Sequence, residues 1–195
     1  MPSYFTYEKS SGDKEFNRIG GNSLLPKFIN WPIDKSGRKM LFLASLSPEI
    51  IQSECGIYIP EGNIISIFLP YKKGSIEHAI DIARQRDRGY IISHPPGELR
   101  QECEYPIIEG RQINLNKDFE TDEDEFSEDI EDKIGGDPNW LQDRFDYSGH
   151  EFLMQISGLY FGTVFPDHKD LFMGGIFYAF YNSAKNDGLV LLQYS

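Results

Sequence analysis

A chain of 195 residues suffices for one compact domain or two small lobes, and 14 Phe with 11 Tyr can supply a core although only 39% of the residues are apolar. The net charge is −12, and the window from Asp118 to Asp132 holds ten acidic residues and no basic one, so it carries all but two of those units. Free nucleic acid is not an expected ligand, because binding it needs clustered Lys and Arg, and the apolar run from Phe172 to Tyr181 is too short for a membrane-spanning helix.

In chain order, Met1 to Lys9 contains no apolar segment of signal-peptide length, which points to the cytoplasm. Cys55 and Cys103 lie far apart without metal-ligand spacing, and they read as reduced thiols. A first set of landmarks begins at Arg18-Ile19-Gly20-Gly21 and continues through Trp31 and Gly37. It goes on to the run Phe42-Leu43-Ala44-Ser45-Leu46 and to the Gly-opened run Gly62 to Phe68. Both runs are short, apolar and bounded by turn residues, which predicts covered strands with Phe42, Leu43, Ile65 and Ile67 buried. Ser75 is expected to cap a helix with Ile76, Ala79, Ile80 and Ala83 on one face, ending near Arg88-Gly89.

The acidic window from Asp118 to Asp132 follows as a linker, with a marginal helix over Asp122 to Asp132 as one reading and disorder as the other. Beyond it the landmarks return in the same order: Lys133-Ile134-Gly135-Gly136, Trp140, Gly149, Phe152-Leu153-Met154-Gln155-Ile156, and Gly174-Gly175 opening Ile176 to Phe180. Successive pairs are separated by 115, 109, 112, 110 and 112 positions. This near-constant offset predicts an internal duplication, with copies over about 17–110 and 133–195. Phe152, Leu153, Ile176 and Tyr178 are then core residues like their counterparts. The expected fold is α+β but β-rich, with two similar β-sheet lobes and one or two short helices.

Candidate chemistry is sparse. His78 reads as a helix-surface residue, His94 as a turn residue before Pro95-Pro96-Gly97, His150 as a strand-edge residue and His168 as a loop residue. No nucleophile elbow, phosphate-binding loop, dinucleotide fingerprint or Cys-x-x-Cys occurs, so no catalytic residue, metal ligand or cofactor is assigned. The acidic window lacks the alternating oxygen ligands of a calcium loop. Asp122, Glu123, Asp124, Glu125, Glu128 and Asp129 are instead expected to face solvent and to contribute to a partner site, because desolvating each charge costs several kcal/mol.

Ile19-Gly20-Gly21, Trp31-Pro32, Phe42-Leu43, Pro60-Glu61-Gly62 and Ile67-Phe68, repeated as Ile134-Gly135-Gly136, Phe152 to Ile156 and Gly174-Gly175, resemble the YwqG-like family. Leu191-Leu192-Gln193-Tyr194 resembles that family's closing strand, so one YwqG-like domain would span 1–195. Two departures stand out: Ser45 where Gln is usual, and Phe172-Met173-Gly174-Gly175 in place of a Trp-Gly-Asp-like turn. The resemblance implies a two-lobed, β-rich bacterial domain of unknown activity, some of whose relatives look like immunity proteins encoded beside toxins. The expected function is a non-catalytic binding protein, an immunity-type inhibitor of a basic cognate toxin. The alternatives are a housekeeping ligand- or protein-binding module and, third, an enzyme with an unrecognised site.

Overall fold

The computed structural model describes residues 3–9, 15–116 and 132–194. Ten strands among these residues form one continuous antiparallel sheet, in the order β10-β9-β8-β7-β1-β6-β2-β3-β4-β5. They are β1 (Ser3–Lys9), β2 (Arg18–Ile19), β3 (Leu41–Leu46), β4 (Ile64–Leu69), β5 (Tyr90–His94), β6 (Arg111–Asn116), β7 (Lys133–Ile134), β8 (Glu151–Ser157), β9 (Ile176–Asn182) and β10 (Asp187–Gln193). Among the described residues three short α-helices follow strands: α1 (Pro48–Cys55), α2 (Glu77–Ala83) and α3 (Gly158–Val164). No helix among the described residues is long and apolar enough to cross a membrane.

The two ends of the sheet meet without a ladder. Asn186, in the turn before β10, accepts from Ser93 N at 2.7 Å and donates to Ser93 O at 3.0 Å. Nearby, Val190 N donates to Arg88 O. A Cβ on Gly188 would stand 2.6 Å from the Ile91 side chain, so only glycine lets β10 approach β5 this closely. The sheet is therefore a nearly closed barrel. Leu43, Ala44, Leu46, Ile65, Ile67, Leu153, Met154, Ile156, Phe177 and Leu192 share its main core. All eight residues expected to be buried are so, and the most exposed of them, Phe152, is 6% exposed.

The run β2 to β5 is laid out like the run β7 to β10. Arg18 and Ile19 pair with Ser45 and Ala44, while Lys133 and Ile134 pair with Gln155 and Met154. The β3–β4 register shifts between Phe42 and Ala44, and the β8–β9 register shifts between Phe152 and Met154. Such a shift turns the neighbouring side chains to opposite faces. Phe42 thereby joins an outer cluster with Trp31 and Phe68, and Phe152 joins another with Phe180 and Trp140. Helices α1 and α3 are capped alike: Ser47 accepts from Ile50 N, and Ser157 accepts from Tyr160 N. Asn17 Oδ1 accepts from Ser47 N at 2.7 Å, and Asp132 Oδ1 accepts from Ser157 N at 2.5 Å.

β1 and β6 lie side by side between these two runs. β1 pairs with β7, and β6 pairs with β2. β1 and β6 then pair with each other, from Tyr4 opposite Asn116 to Lys9 opposite Arg111. The halves are thus neighbours in one sheet, held through the β1–β6 seam.

The helix expected after Ser75 begins at Glu77, with Ile76 in the N-cap position and no side-chain cap. Its buried face carries His78, Ala79 and Ile82, while Ile76 is 52% exposed. The helix packs against β10, and that contact fixes its rotation. It ends at Ala83 because Gln85 adopts φ +54 and reaches back to Val190 O. The helix considered over Asp122 to Asp132 lies outside the described residues, apart from Asp132.

Gly135 supplies a stability test. A Cβ there would lie 1.9 Å from Glu54 O, and φ is +73. Gly37 has φ +83 with nothing within 4 Å of a Cβ. Gly37→Ala is expected to cost the left-handed strain alone, about 1–2 kcal/mol. Gly135→Ala should cost clearly more in urea unfolding, because backbone must move.

Candidate functional site

Asp122, Glu123, Asp124, Glu125, Glu128 and Asp129 lie outside the described residues. Asp132, the last acid of the same window and not one of those six, is buried. Its carboxylate accepts from Tyr7 OH and Ser157 N, and its carbonyl accepts from Phe5 N. Burial and the Asp132 charge push the Tyr7 phenol well above its ordinary range, so the hydroxyl stays a donor. Asp132 therefore acts as a tie between β1 and the start of α3.

Three of the four histidines are held inside. His78 is 2% exposed, not a surface residue, with Nε2 at 3.1 Å from Leu171 O and its ring edge-on to Tyr71. His168 is buried too, with Nε2 at 2.9 Å from Pro106 O. Tyr71 donates to Asp170 at 2.8 Å, and Gly74 N donates to the same carboxylate. His94 ends β5 before the expected turn, and it is the one histidine beside a hydroxyl: Nε2 lies 2.8 Å from Ser66 Oγ. That pairing has the form of a nucleophile and base. However, Ser66 is 0% exposed, His94 is 1% exposed, and His94 Nδ1 is fixed at 2.8 Å from Pro95 O. The pair ties β4 to β5 and presents no reactive face. His150 stands before β8 as expected, 3.9 Å from Asp187.

Burial, with Glu54 and Glu151 nearby, pushes the Cys55 thiol up to about 12, and burial raises Cys103 as well. Both resist becoming the reactive thiolate. Among the described residues, no group of three His, Cys, Asp or Glu side chains is placed to hold a metal ion.

Sequence reasoning missed Lys133 as a buried cation. It is 3% exposed, donates to Asn139 Oδ1 at 2.6 Å, and is brought down to about 8 by burial, with Asp137 opposing. It belongs to a polar fastening under the Trp140 loop. Gln155 Oε1 accepts from Asn139 N, Tyr178 OH donates to Asn139 O, and Gln193 Oε1 accepts from Leu141 N. Ser45, which replaces the usual Gln in the first half, instead donates to Phe16 O at 2.6 Å.

Large side chains exposed to solvent include groups beside α1 and α3. Near α1, Phe16 and Tyr58 flank a cleft of about 530 Å³ that Glu49 and Glu61 also line. Near α3, Leu159, Tyr160 and Met173 are 74%, 41% and 43% exposed. These two surfaces, with the acidic window, are the candidate partner-binding regions.

A family model described as a domain of unknown function, DUF1963, matches residues 17–164. The chain belongs to the DUF1963 family. That match takes in β2 to β8 and all three helices, hence both Gly-Gly landmarks and both capping serines. No curated protein matches this DUF1963 chain.

Burial lowers both His78 and His94 below the ordinary imidazole range, so both are neutral in the fold. Above about pH 6.5 the unfolded imidazoles are neutral too, and this contribution to stability is intact. As pH falls below that value, the unfolded chain binds protons that the folded chain refuses, and stability is lost. Urea midpoints should therefore drop between about pH 7 and 5. His94→Gln should flatten that dependence. Glutamine already holds the corresponding place in the other half, where Gln193 pairs with Ile176 as His94 pairs with Ile64.

Proposed function

We propose that this DUF1963 protein is a non-catalytic binding protein, an immunity-type inhibitor that blocks a basic cognate bacterial toxin by direct contact. The observation that carries the binding reading is the division of labour among side chains. His78, His94 and His168 are committed inside the fold and both thiols are half-buried, while large apolar side chains stand in solvent beside α1 and α3. Exposed aromatic and aliphatic groups cost solvation and gain it back in an interface. The net charge of −12 favours a basic partner and speeds encounter with it. The resemblance of the Ile-Gly-Gly, Trp-Pro and Phe-Leu landmarks to the YwqG-like family supports the immunity assignment and an address in the cytoplasm.

The test is co-expression with the toxin encoded beside the gene. The wild type is expected to protect. A variant with Lys at Asp122, Glu123, Asp124, Glu125, Glu128 and Asp129 should associate more slowly, with the difference shrinking as salt rises, since screening acts over about 8–10 Å at physiological ionic strength. Full protection with an unchanged association rate would remove the acidic window from the interface. Failure of the wild type against every neighbouring gene product would end the immunity reading.

We also infer that the two halves arose by duplication of one five-strand unit, β1 to β5 and β6 to β10, with the first strands exchanged. The matched registers, register shifts and Ser47 and Ser157 caps support this. Fragments 1–109 and 110–195, co-expressed, should co-purify in equal amounts, because β6 of the second lies between β1 and β2 of the first. Fragments that fold separately and ignore each other would contradict the exchanged unit.

A further inference from the structure

We propose that the cleft between α1 and the turn entering β4 receives a cationic side chain, arginine or lysine, from the partner; this rests on the reading of that partner as a basic protein. The cleft encloses about 530 Å³, and its lining includes two aromatic rings, Phe16 and Tyr58, two carboxylates, Glu49 and Glu61, and two amides, Gln52 and Asn63, but no basic residue. Among the described residues, neither Glu49 nor Glu61 takes part in an ion pair.

The local chain holds these groups in place. Ile57 and Ile59 are 1% and 4% exposed, whereas Tyr58 between them is 71% exposed. In an extended segment neighbouring side chains point to opposite sides, so burying both isoleucines drives the Tyr58 ring outward. The turn closed by Asn63 N on Pro60 O, with Gly62 at φ +77, puts Glu61 at the rim. Phe16 is placed by its carbonyl, which accepts from Ser45. Glu49 sits in the first turn of α1, where the Ser47 hydroxyl and its own N–H hold the carboxyl below its ordinary range and keep it ionised. A site set in advance spends less of its interaction energy on ordering.

The chemistry selects the occupant. Carboxylates accept paired N–H donors from a guanidinium, and aromatic faces attract the same cation. Lysine satisfies the charge, and arginine satisfies both the charge and the flat stacking surface. A neutral apolar group would take both carboxylates out of water without offering a compensating charge, and an anion would be repelled. The fold does not force this charge. Glu49 is second after the capping Ser47, and Leu159 is second after the capping Ser157. Glu61 precedes Gly62, and Met173 precedes Gly174. The same places near α3 are apolar.

The experiment is an amide-resolved NMR titration of the full-length protein with acetyl-Gly-Arg-Gly-amide and with its citrulline analogue, which keeps the shape and loses the charge. Saturable shifts are expected at Gln52, Tyr58, Glu61 and Asn63 with the arginine peptide, and binding about tenfold weaker or less with citrulline. Tyr58→Ala and the double variant Glu49→Gln, Glu61→Gln should each weaken arginine binding at least about threefold. These side chains are exposed, and the unshifted remainder of the spectrum verifies the fold. No saturable shift at these amides, an equal response to citrulline, or unaltered binding by the variants would overturn the proposal. Peptide binding without protection from any neighbouring toxin would reject the immunity reading and keep the cleft. Protection without peptide shifts would reject the cleft alone.

Discussion

The antiparallel pairing of β1 with β6 is the contact on which the barrel depends. Each of these strands precedes one half of the sheet in sequence and sits against the other half in space. Neither half can complete its own sheet from a contiguous stretch of chain. Hydrogen bonds on both edges of β1 and of β6 therefore join residues distant in sequence, and sheet formation must wait for that long-range closure. The two short strands beside the seam, Arg18–Ile19 and Lys133–Ile134, are anchored by what flanks them: the Gly-Gly bends after them and the Asn17 and Asp132 side chains before them.

From that seam outward, polar groups do most of the positioning. Asn17 and Asp132 each take the backbone N–H of the serine that caps the following helix. One uses an amide and the other a carboxylate for the same job. The carboxylate also collects the Tyr7 hydroxyl, so the second half is tied more heavily to β1. The outer face of the second half carries Lys133, Gln155, Tyr178 and Gln193 under the Trp140 loop. The corresponding places in the first half carry Arg18, Ser45, Ser66 and His94, all buried. Buried polar networks of this kind rigidify a fold when every member is satisfied, which leaves α1, α3 and the loops beside them to present surface.

Much of the sheet was legible from the sequence. The paired landmarks located β2, β3, β4, β7, β8 and β9 because central strands covered on both faces leave unbroken apolar runs. β1 and β6 were missed, since Ser-Tyr-Phe-Thr-Tyr-Glu-Lys and Arg-Gln-Ile-Asn-Leu-Asn alternate weakly and gain their place only from each other. α1 carries a readable signature, Ser47-Pro48-Glu49 at its start and Gly56 in the left-handed region at its end. α3 offered only Ser157 before a glycine. His78 was placed on the wrong face because Ile76 and Ile80 complete an apolar stripe in sequence, whereas Leu171 O on a distant loop draws the imidazole inward. Of the candidate site, the acidic charge was legible. The cleft was not, because Phe16, Glu49 and Tyr58 converge only after the sheet has formed.

Asn186 gives the closed sheet a property of its own. Open β-sheets expose two rows of unsatisfied amides that recruit strands from other molecules, and proteins guard such edges with charge, proline or bulges. Here β5 and β10 turn those edges toward each other, and one carboxamide reads Ser93 as a strand neighbour would, offering one donor and one acceptor. One side chain thus does the work of a missing rung, and with the bond from Val190 N to Arg88 O and the packing of Gly188 on Ile91 it turns both margins of the sheet inward. The guard against intruding strands lies in the contact of the two margins with each other rather than in charge spread along an edge.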